Sequence, residues 1–571
     1  MTASLEGYGQ HLFKGSVAAP YLKAAGLPET TLDGTAWTTN GQADKVAAAV
    51  LEWAKDNGAS VYCHWFQPLG ASMVRHGMSA QVQNSFFEFK KCGTPVWDFK
   101  GKNLLKGETD GSSFPNGGLR ATNRAGAYLS VDPTSPIFLR GDTIFIPACL
   151  VSYLGHALDE KTPLMRASDA MSREGARLLG LLGYKCKGLQ ANIGLEQELF
   201  LIPRSAYMKV TLTINKSSVS SKQHIARNVR IVLFCLPFLI LPPAPSLALS
   251  PQRIDLQMSG RTVMGRLGPR GQEMSDHYMA PPATSGSALA CMQEIQEQCF
   301  RLGIPLRTRH REVAPNQYEF APLFGTVTTQ IDQNLVVMQI VEEVASQHGL
   351  AALFQEKPFA GVNGSGKHNN WSIATDDGTN LLNVGQLAAK AGPDVFPVIM
   401  SAIVKAVDEN GDLMRLAIAT PGNDFRLGAC EAPPAIMSMY LGDDLTKYLS
   451  AYLAGDKKPY TPNTKMIKMG AAALPDVEVP SEDRNRTSPF PYGGHRFEFR
   501  AVGSSQNVSM VNTVLATITA KAFKEFSDAI EKGASPQSVA QAALKKSFKV
   551  RAPSFCASAH EPLYVYARSM S

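Results

Sequence analysis

The sequence predicts an α+β chain, or a mixed α/β one, built round one large sheet. Segments with helical apolar spacing recur along it, short β-type runs punctuated by Pro and Gly stand between them, and no internal repeat is visible. Residues 43–57, ADKVAAAVLEWAKDN, have helical spacing and stop before Gly58, a residue suited to a C-cap. ASVYCHWFQP follows as a strand entering a loop, and DPTSPIFLRGDTIFIPACLVSY supplies further short β runs. PLMRASDAMSREGARLLGLLGY predicts an amphipathic helix stopped by Gly183, with LQANIGLEQELFLI as the strand after it. A helix over 283–302, an extended REVAPNQYEFAPLF, a long helix to about His348 and helices over 385–409 and 508–532 complete the reading.

At 571 residues and 44% apolar composition the chain has the material for roughly two to four packed domains. Its longest apolar run, Ile231 to Leu241, is about half the length that crosses a bilayer and is broken by Pro237, so no membrane partner is expected. The opening MTASLEGYGQHLFKGSVAAP carries neither the apolar core of a secretory signal nor the character of a transit peptide. Nine Cys are scattered, odd in number and never spaced as CxxC, which argues against a disulfide framework or a thiolate zinc site and predicts a reducing, cytoplasmic setting. The net charge of +7 is a weak pointer to nucleic acid. Val210 to Gln252 holds Lys216, Lys222, Arg227 and Arg230 with no acid, and the tail from Val550 adds Arg551 and Arg568 against Glu561. The excess therefore sits mostly in two odd segments, and no nucleic-acid partner is expected.

Acidic residues on the strand-like runs carry the chemistry. Glu196 and Glu198 flank one residue, so on a strand both carboxylates project to one face. Glu312 and Glu319 lie in REVAPNQYEF, and Glu498 lies in HRFEFR between Arg496 and Arg500. A single Glu on a strand ordinarily faces water, but EQE sits inside an apolar run and Glu498 is flanked by two Phe. Five carboxylates on a common cavity repel one another unless cations are present, and hard divalent ions such as Mg²⁺ take oxygen ligands. KPFAGVNGSGKHNNWSI supplies glycines around Asn363 and Ser365 that let backbone approach a ligand, followed by Lys367 and His368. NRTSPFPYGGHRFEFR adds Arg486, Arg496 and Arg500 as fixed positive charge for phosphate or carboxylate groups. Carboxylate-bound metals beside an arginine cluster are the equipment of phosphoryl transfer.

These residues carry a resemblance to the glutamine synthetases, and among their branches to type III. The matching blocks, in the family's order, are HWFQP, DGSSFPNGGLRAT, DPTSPIF, LEQELFLI, GRTVMG, GQEMSDHYMAPP, REVAPNQYEFAPLFG, KPFAGVNGSGKHNNWS, FRLGACEAPPAI and NRTSPFPYGGHRFEFRAVGSSQN. The resemblance covers most of 1–209 and 253–549. It implies an N-terminal β-grasp-like domain over 1–165 and a large catalytic α/β domain over 166–549 with a curved, mainly antiparallel sheet. It further implies ATP-dependent ligation of ammonia to glutamate through γ-glutamyl phosphate, with Mg²⁺ or Mn²⁺, in a homo-oligomer of stacked rings whose sites lie at subunit boundaries.

Carried over residue by residue, the resemblance implies metal ligands at Glu196, Glu198, Glu312, Glu319, His368 and Glu498. Asp110 would deprotonate ammonium, and Glu431 would close over the site and take a proton from the adduct. Asn363, Gly364, Arg426 and Arg500 would hold glutamate, while Arg486, also a catalytic residue, and Arg496 would face the phosphates. Tyr278 and Ser372 are looser matches, for the ammonium site and the nucleotide. Between NRTSP and HRFEFR the chain lacks an Arg and a Lys that the shorter branch uses for phosphate, which leaves the nucleotide contacts open. Two other readings stay open: a γ-glutamyl ligase that uses an amine in place of ammonia, and a catalytically inactive or mis-spliced scaffold subunit.

Residues 210–252 and 550–571 match nothing in the family. Every Val codon begins GT, so Lys209-Val210 and Lys549-Val550 can each encode AAG followed by GT, a splice donor, and Gln252 can be CAG, an acceptor. The Leu, Pro, Ser and Phe residues upstream of Gln252 have pyrimidine-rich codons. A retained intron would account for the insert, and the same logic would apply to the tail, where the family's C-terminal region is expected to continue; a genuine lineage-specific loop and short tail is the alternative reading. Sequencing of the mature message is expected to join the codon of Lys209 to that of Arg253; a message containing the insert would contradict this.

Overall fold

The computed structural model describes residues 6–69, 79–80, 83–111, 125–208, 282–312, 314, 316–359, 362–429, 432–456, 458–480, 488–548, 550–551 and 564–566. The insert at 210–252, Tyr278, Glu431 and Arg486 lie outside them. Among the described residues no helix is long and apolar enough to cross a membrane.

Helices and mainly antiparallel sheets make up the architecture, as the α+β expectation requires, but the strands form two large sheets and not the one expected. The first sheet has eight strands. Its centre is Thr143–Ser152, which pairs in parallel with Val61–Phe66 and antiparallel with Ile137–Arg140 and Gly126–Val131. The Ala43–Asp56 helix buries Val46, Val50, Leu51 and Trp53 in a core shared with this sheet, and ends before Gly58, whose φ of 69° is left-handed as a C-cap requires.

The second sheet has seven strands and carries the site. Leu189–Pro203 is its spine, flanked antiparallel by Gln317–Pro322 on one side and Lys367–Thr375 on the other. Leu306–Arg311 continues one edge and Phe497–Phe499 the other. The Lys161–Leu181 helix covers the spine strand and packs along Ser509–Glu531. A Cβ on Gly175 would lie 3.0 Å from Leu189 Cγ and 3.2 Å from Phe523 Cδ2, so the missing side chain is what lets helix, helix and strand close up. Gly175→Ala is expected to cost about 1–3 kcal/mol through overpacking, read from denaturant unfolding.

The helix predicted over 385–409 is two helices, Val384–Ala391 and Val395–Glu409. Gly392 breaks it with a φ of 89°, and Pro393 cannot continue the ladder. A smaller sheet pairs Ser438–Tyr440 in parallel with Phe490–Pro491 and antiparallel with Tyr564–Tyr566 of the tail, so part of that tail has a strand partner.

A buried polar chain joins the two large sheets. Lys161, fully buried at the start of its helix, lies 2.5 Å from both Asp132 Oδ2 and Asp332 Oδ2. Gln67 of HWFQP donates to Asp332 Oδ1 at 2.6 Å and accepts from Ser509 Oγ at 2.5 Å and Asn507 Nδ2 at 3.2 Å. Burial opposes charge on Lys161, but the two aspartates outweigh it and keep the ammonium charged. HWFQP, DPTSP and GSSQN thus meet in one network.

Candidate active site

Strand register assembles the site. Glu196 lies opposite His368, Glu198 opposite Glu319, His310 opposite Glu319, and Asn370 opposite Glu498. These pairings gather residues from five strands, and the ligand atoms form two groups. In one, His368 Nδ1 is 3.0 Å from Glu196 Oε2 and 3.2 Å from Glu498 Oε1. In the other, His310 Nε2 is 2.8 Å from Glu312 Oε1 and 3.8 Å from Glu319 Oε1. Glu198 stands beside them, accepting the backbone N–H of Gly366. In register Glu196 faces the Lys367–Thr375 strand and Glu198 faces Gln317–Pro322, while the Glu198 carboxylate also reaches Gly366 beside the first of these.

The electrostatics are those of crowded, desolvated carboxylates. Burial pushes Glu319 well up, with the charges of Glu196, Glu198 and Glu312 adding to it. Glu198 rises to about 7, again mainly by burial. For Glu196 burial acts upward too, but the hydrogen bond and charge of His368 outweigh it and the net direction is down. Burial opposes protonation of His368, yet its bonds to Glu196 and Glu498 raise it to about 10. Oxygen-rich donors whose mutual repulsion a divalent cation would relieve fit the family's divalent-metal dependence, with one imidazole in each group.

Beside the carboxylates lies a pocket lined by Glu198, Gly364, His368, Arg426, Pro433 and Arg500. Arg426 and Arg500 are 3% and 4% exposed, so two nearly dry guanidinium groups share it. Arg426 is held from behind: Nη2 donates to Val502 O at 3.0 Å and Nε to Asn423 Oδ1 at 3.1 Å. Glycines at 364 and 366 were expected to bring backbone close to a ligand. They also bring the protein close to itself: a Cβ on Gly366 would lie 2.9 Å from Arg426 Nη1, and one on Gly364 would fall 2.2 Å from Glu356 O. Asn363 is half-buried on the same turn.

The remaining expected residues divide. Ser372 is buried two positions beyond Asn370 on the Lys367–Thr375 strand, its Oγ donating to Asn192 O at 3.4 Å. Arg496, partly exposed, donates from Nε to Asn370 Oδ1 at 2.7 Å, and Asn370 Nδ2 in turn donates to Glu196 Oε1 at 2.9 Å. Asp110 is exposed at the end of Lys106–Asp110 in the first sheet, opposite Gly126, and is not in either ligand group. Sequence reasoning passed over His310 and Asn370, although each sits two residues from an expected ligand and alternation puts such neighbours on one strand face.

Residues 4–167 match the family model described as glutamine synthetase type III N terminal, and residues 181–392 match the glutamine synthetase catalytic domain. A protein of Dictyostelium discoideum named Type-3 glutamine synthetase is 41% identical over 488 residues, which cover 84% of this chain and 59% of that protein. A glutamine synthetase of Bacteroides fragilis is 36% identical over 532 residues, covering 92% and 65%. One of Butyrivibrio fibrisolvens is 34% identical over 443 residues, covering 76% and 55%. The chain thus spans between 55% and 65% of the length of these relatives.

Proposed function

Because the chain belongs to the type III branch of the glutamine synthetase family, we propose that it joins ammonia to L-glutamate at the expense of ATP, giving L-glutamine, ADP and phosphate through γ-glutamyl phosphate. The observation that carries this reading is the Arg426–Arg500 pocket whose wall includes Glu198 and His368, since a γ-carboxylate bound there would lie beside a phosphate held by cations. We take 1–165 as the N-terminal unit, 166–549 as the catalytic one and the cytoplasm as the setting.

In this reading Glu196, His368 and Glu498, and Glu198, Glu312 and Glu319, would hold Mg²⁺ or Mn²⁺. Bound there, the cations supply neutralisation of the charge on ATP and on the transferring phosphoryl group. The protein's own groups do the rest. Arg426, Arg500 and the 363–364 turn bind and orient glutamate so that its γ-carboxylate oxygen attacks the terminal phosphorus and ADP leaves. Arg496 and Arg486 face the phosphates, and Ser372 the nucleotide. Asp110 accepts a proton from ammonium, with Tyr278 at the ammonium site. The ammonia nitrogen then attacks the acyl carbon, phosphate departs, and Glu431 takes the surplus proton. Glu431→Ala is expected to lower turnover by about a hundredfold or more, as for a lost general base; near-wild-type rates would remove the assignment.

Asp110 lies exposed on the first sheet, which suits a residue that completes the site of a neighbouring copy in a ring. Mixing Asp110→Asn and Glu319→Gln chains before assembly is then expected to restore roughly a quarter of the sites; no recovery would contradict shared sites. The acyl-phosphate route is tested with glutamate labelled by ¹⁸O in its γ-carboxylate. Label must appear in the released phosphate when ammonium is present, and its absence would rule the route out. Methylamine in place of ammonium separates the amine-ligase reading, which requires the amine to be the better substrate.

A further inference from the structure

Glu356 belongs to none of the acidic blocks above and does not line the pocket, yet it is only 4% exposed. Three segments converge on it. Its backbone carbonyl accepts Ser365 N at 2.7 Å, fixing the turn that carries Asn363 and Gly364. Its Oε1 accepts Ser505 N at 3.0 Å and Ser505 Oγ at 2.6 Å, fixing the loop that follows Arg500. Its Oε2 lies where a Cβ of Gly422 would be 2.4 Å away, at the start of the Pro421–Arg426 helix that ends in Arg426. Gly503 makes the same room, its Cβ position lying 2.5 Å from Oε1. Each of the three segments carries one part of the pocket.

The charge matters as well as the bonds. Arg426 and Arg500 are like charges in a dry pocket, and burial together with Arg500 works against the Arg426 cation. Glu198 and Glu356 are the carboxylates that offset this. Glu198 faces the proposed cation sites, whereas Glu356 sits outside the cavity and can balance Arg426 without competing for a ligand.

We propose that Glu356 is a positioning residue for glutamate recognition, holding the 363–366 turn, the Arg426 helix and the Arg500–Ser505 loop in the one arrangement that points both guanidinium groups into the pocket. The inference rests on reading that pocket as the glutamate site. It predicts that Glu356→Gln, which keeps the volume and removes the charge, weakens glutamate binding roughly tenfold, and that Ser505→Ala, which keeps the charge and removes one bond, weakens it roughly threefold.

The test is calorimetric titration of glutamate into the full chain with Mg²⁺ and a non-hydrolysable ATP analogue, together with KM for glutamate and for ATP. Weaker glutamate binding in both variants, a raised glutamate KM and an unchanged ATP KM would support the role. Wild-type glutamate affinity in both variants would overturn it and leave the pocket reading standing. Equal changes in both KM values with a large loss of thermal stability in each variant would also overturn it, since a purely structural residue behaves that way. No glutamate binding by the wild-type chain would instead sink the pocket reading, and this inference with it.

Discussion

Glu196→Gln is expected to lower glutamine formation on the order of a thousandfold while the protein still folds. The substitution keeps the size of the side chain and an oxygen for Asn370 Nδ2, but it removes the negative charge that faces His368 and the proposed cation. Loss of one ligand from a carboxylate set forfeits several kcal/mol of transition-state charge stabilisation, which is the scale of that factor. Two measurements check it: turnover at saturating Mg²⁺, and the rise in Tm that Mg²⁺ produces. A ligand bound only by the folded state raises Tm by mass action, so the rise should be clear in the wild type and smaller in the variant. Turnover near the wild-type value would remove Glu196 from the ligand set.

The second large effect is on stability. Lys161→Met should destabilise the protein by about 3–5 kcal/mol, because it leaves Asp132 and Asp332 buried together without their counter-charge. The loss should fall on the junction between the two sheets, since Asp132 follows Gly126–Val131 in the first and Asp332 lies on the Val327–Gln347 helix beside the second. Denaturant unfolding measures it. The triple change Lys161→Met, Asp132→Asn, Asp332→Asn should recover part of the loss, since no charge is then left stranded. A Lys161→Met protein as stable as the wild type would show that the cluster contributes nothing net.

What was legible in the sequence follows the range of the forces involved. Helix 43–57 and its Gly58 stop, the 161–181 helix and the long EQE strand depend on local period and capping, and all are present as expected. The break at Gly392-Pro393 was also local, and Gly-Pro is a turn signal that outweighs the apolar period around it. Alternation puts Glu196 and Glu198 on one face, but it cannot say that Glu196 lies opposite His368 and Glu198 opposite Glu319, because register is decided by residues more than a hundred positions away. Gln67 pairing with Asp332, and Glu356 with Ser505, are long-range for the same reason. Gln67 lies in the HWFQP block and Glu356 in no block, and for both only the packing of distant segments shows the role. The glycines of NGSG suggest room beside a ligand, while much of that room is taken by Arg426 and by the Glu356 carbonyl. Asp110 is marked only by its DGSS block, and the strand that carries it belongs to the first sheet.

ATP-dependent amidation of glutamate at this carboxylate–arginine site is a proposal. Its most direct test is phosphate release by the purified full chain supplied with ATP, Mg²⁺, glutamate and ammonium, each omitted in turn. The account predicts release that needs all four and yields glutamine in equal amount. Release that is indifferent to glutamate or ammonium, or none at all from assembled protein, would contradict it.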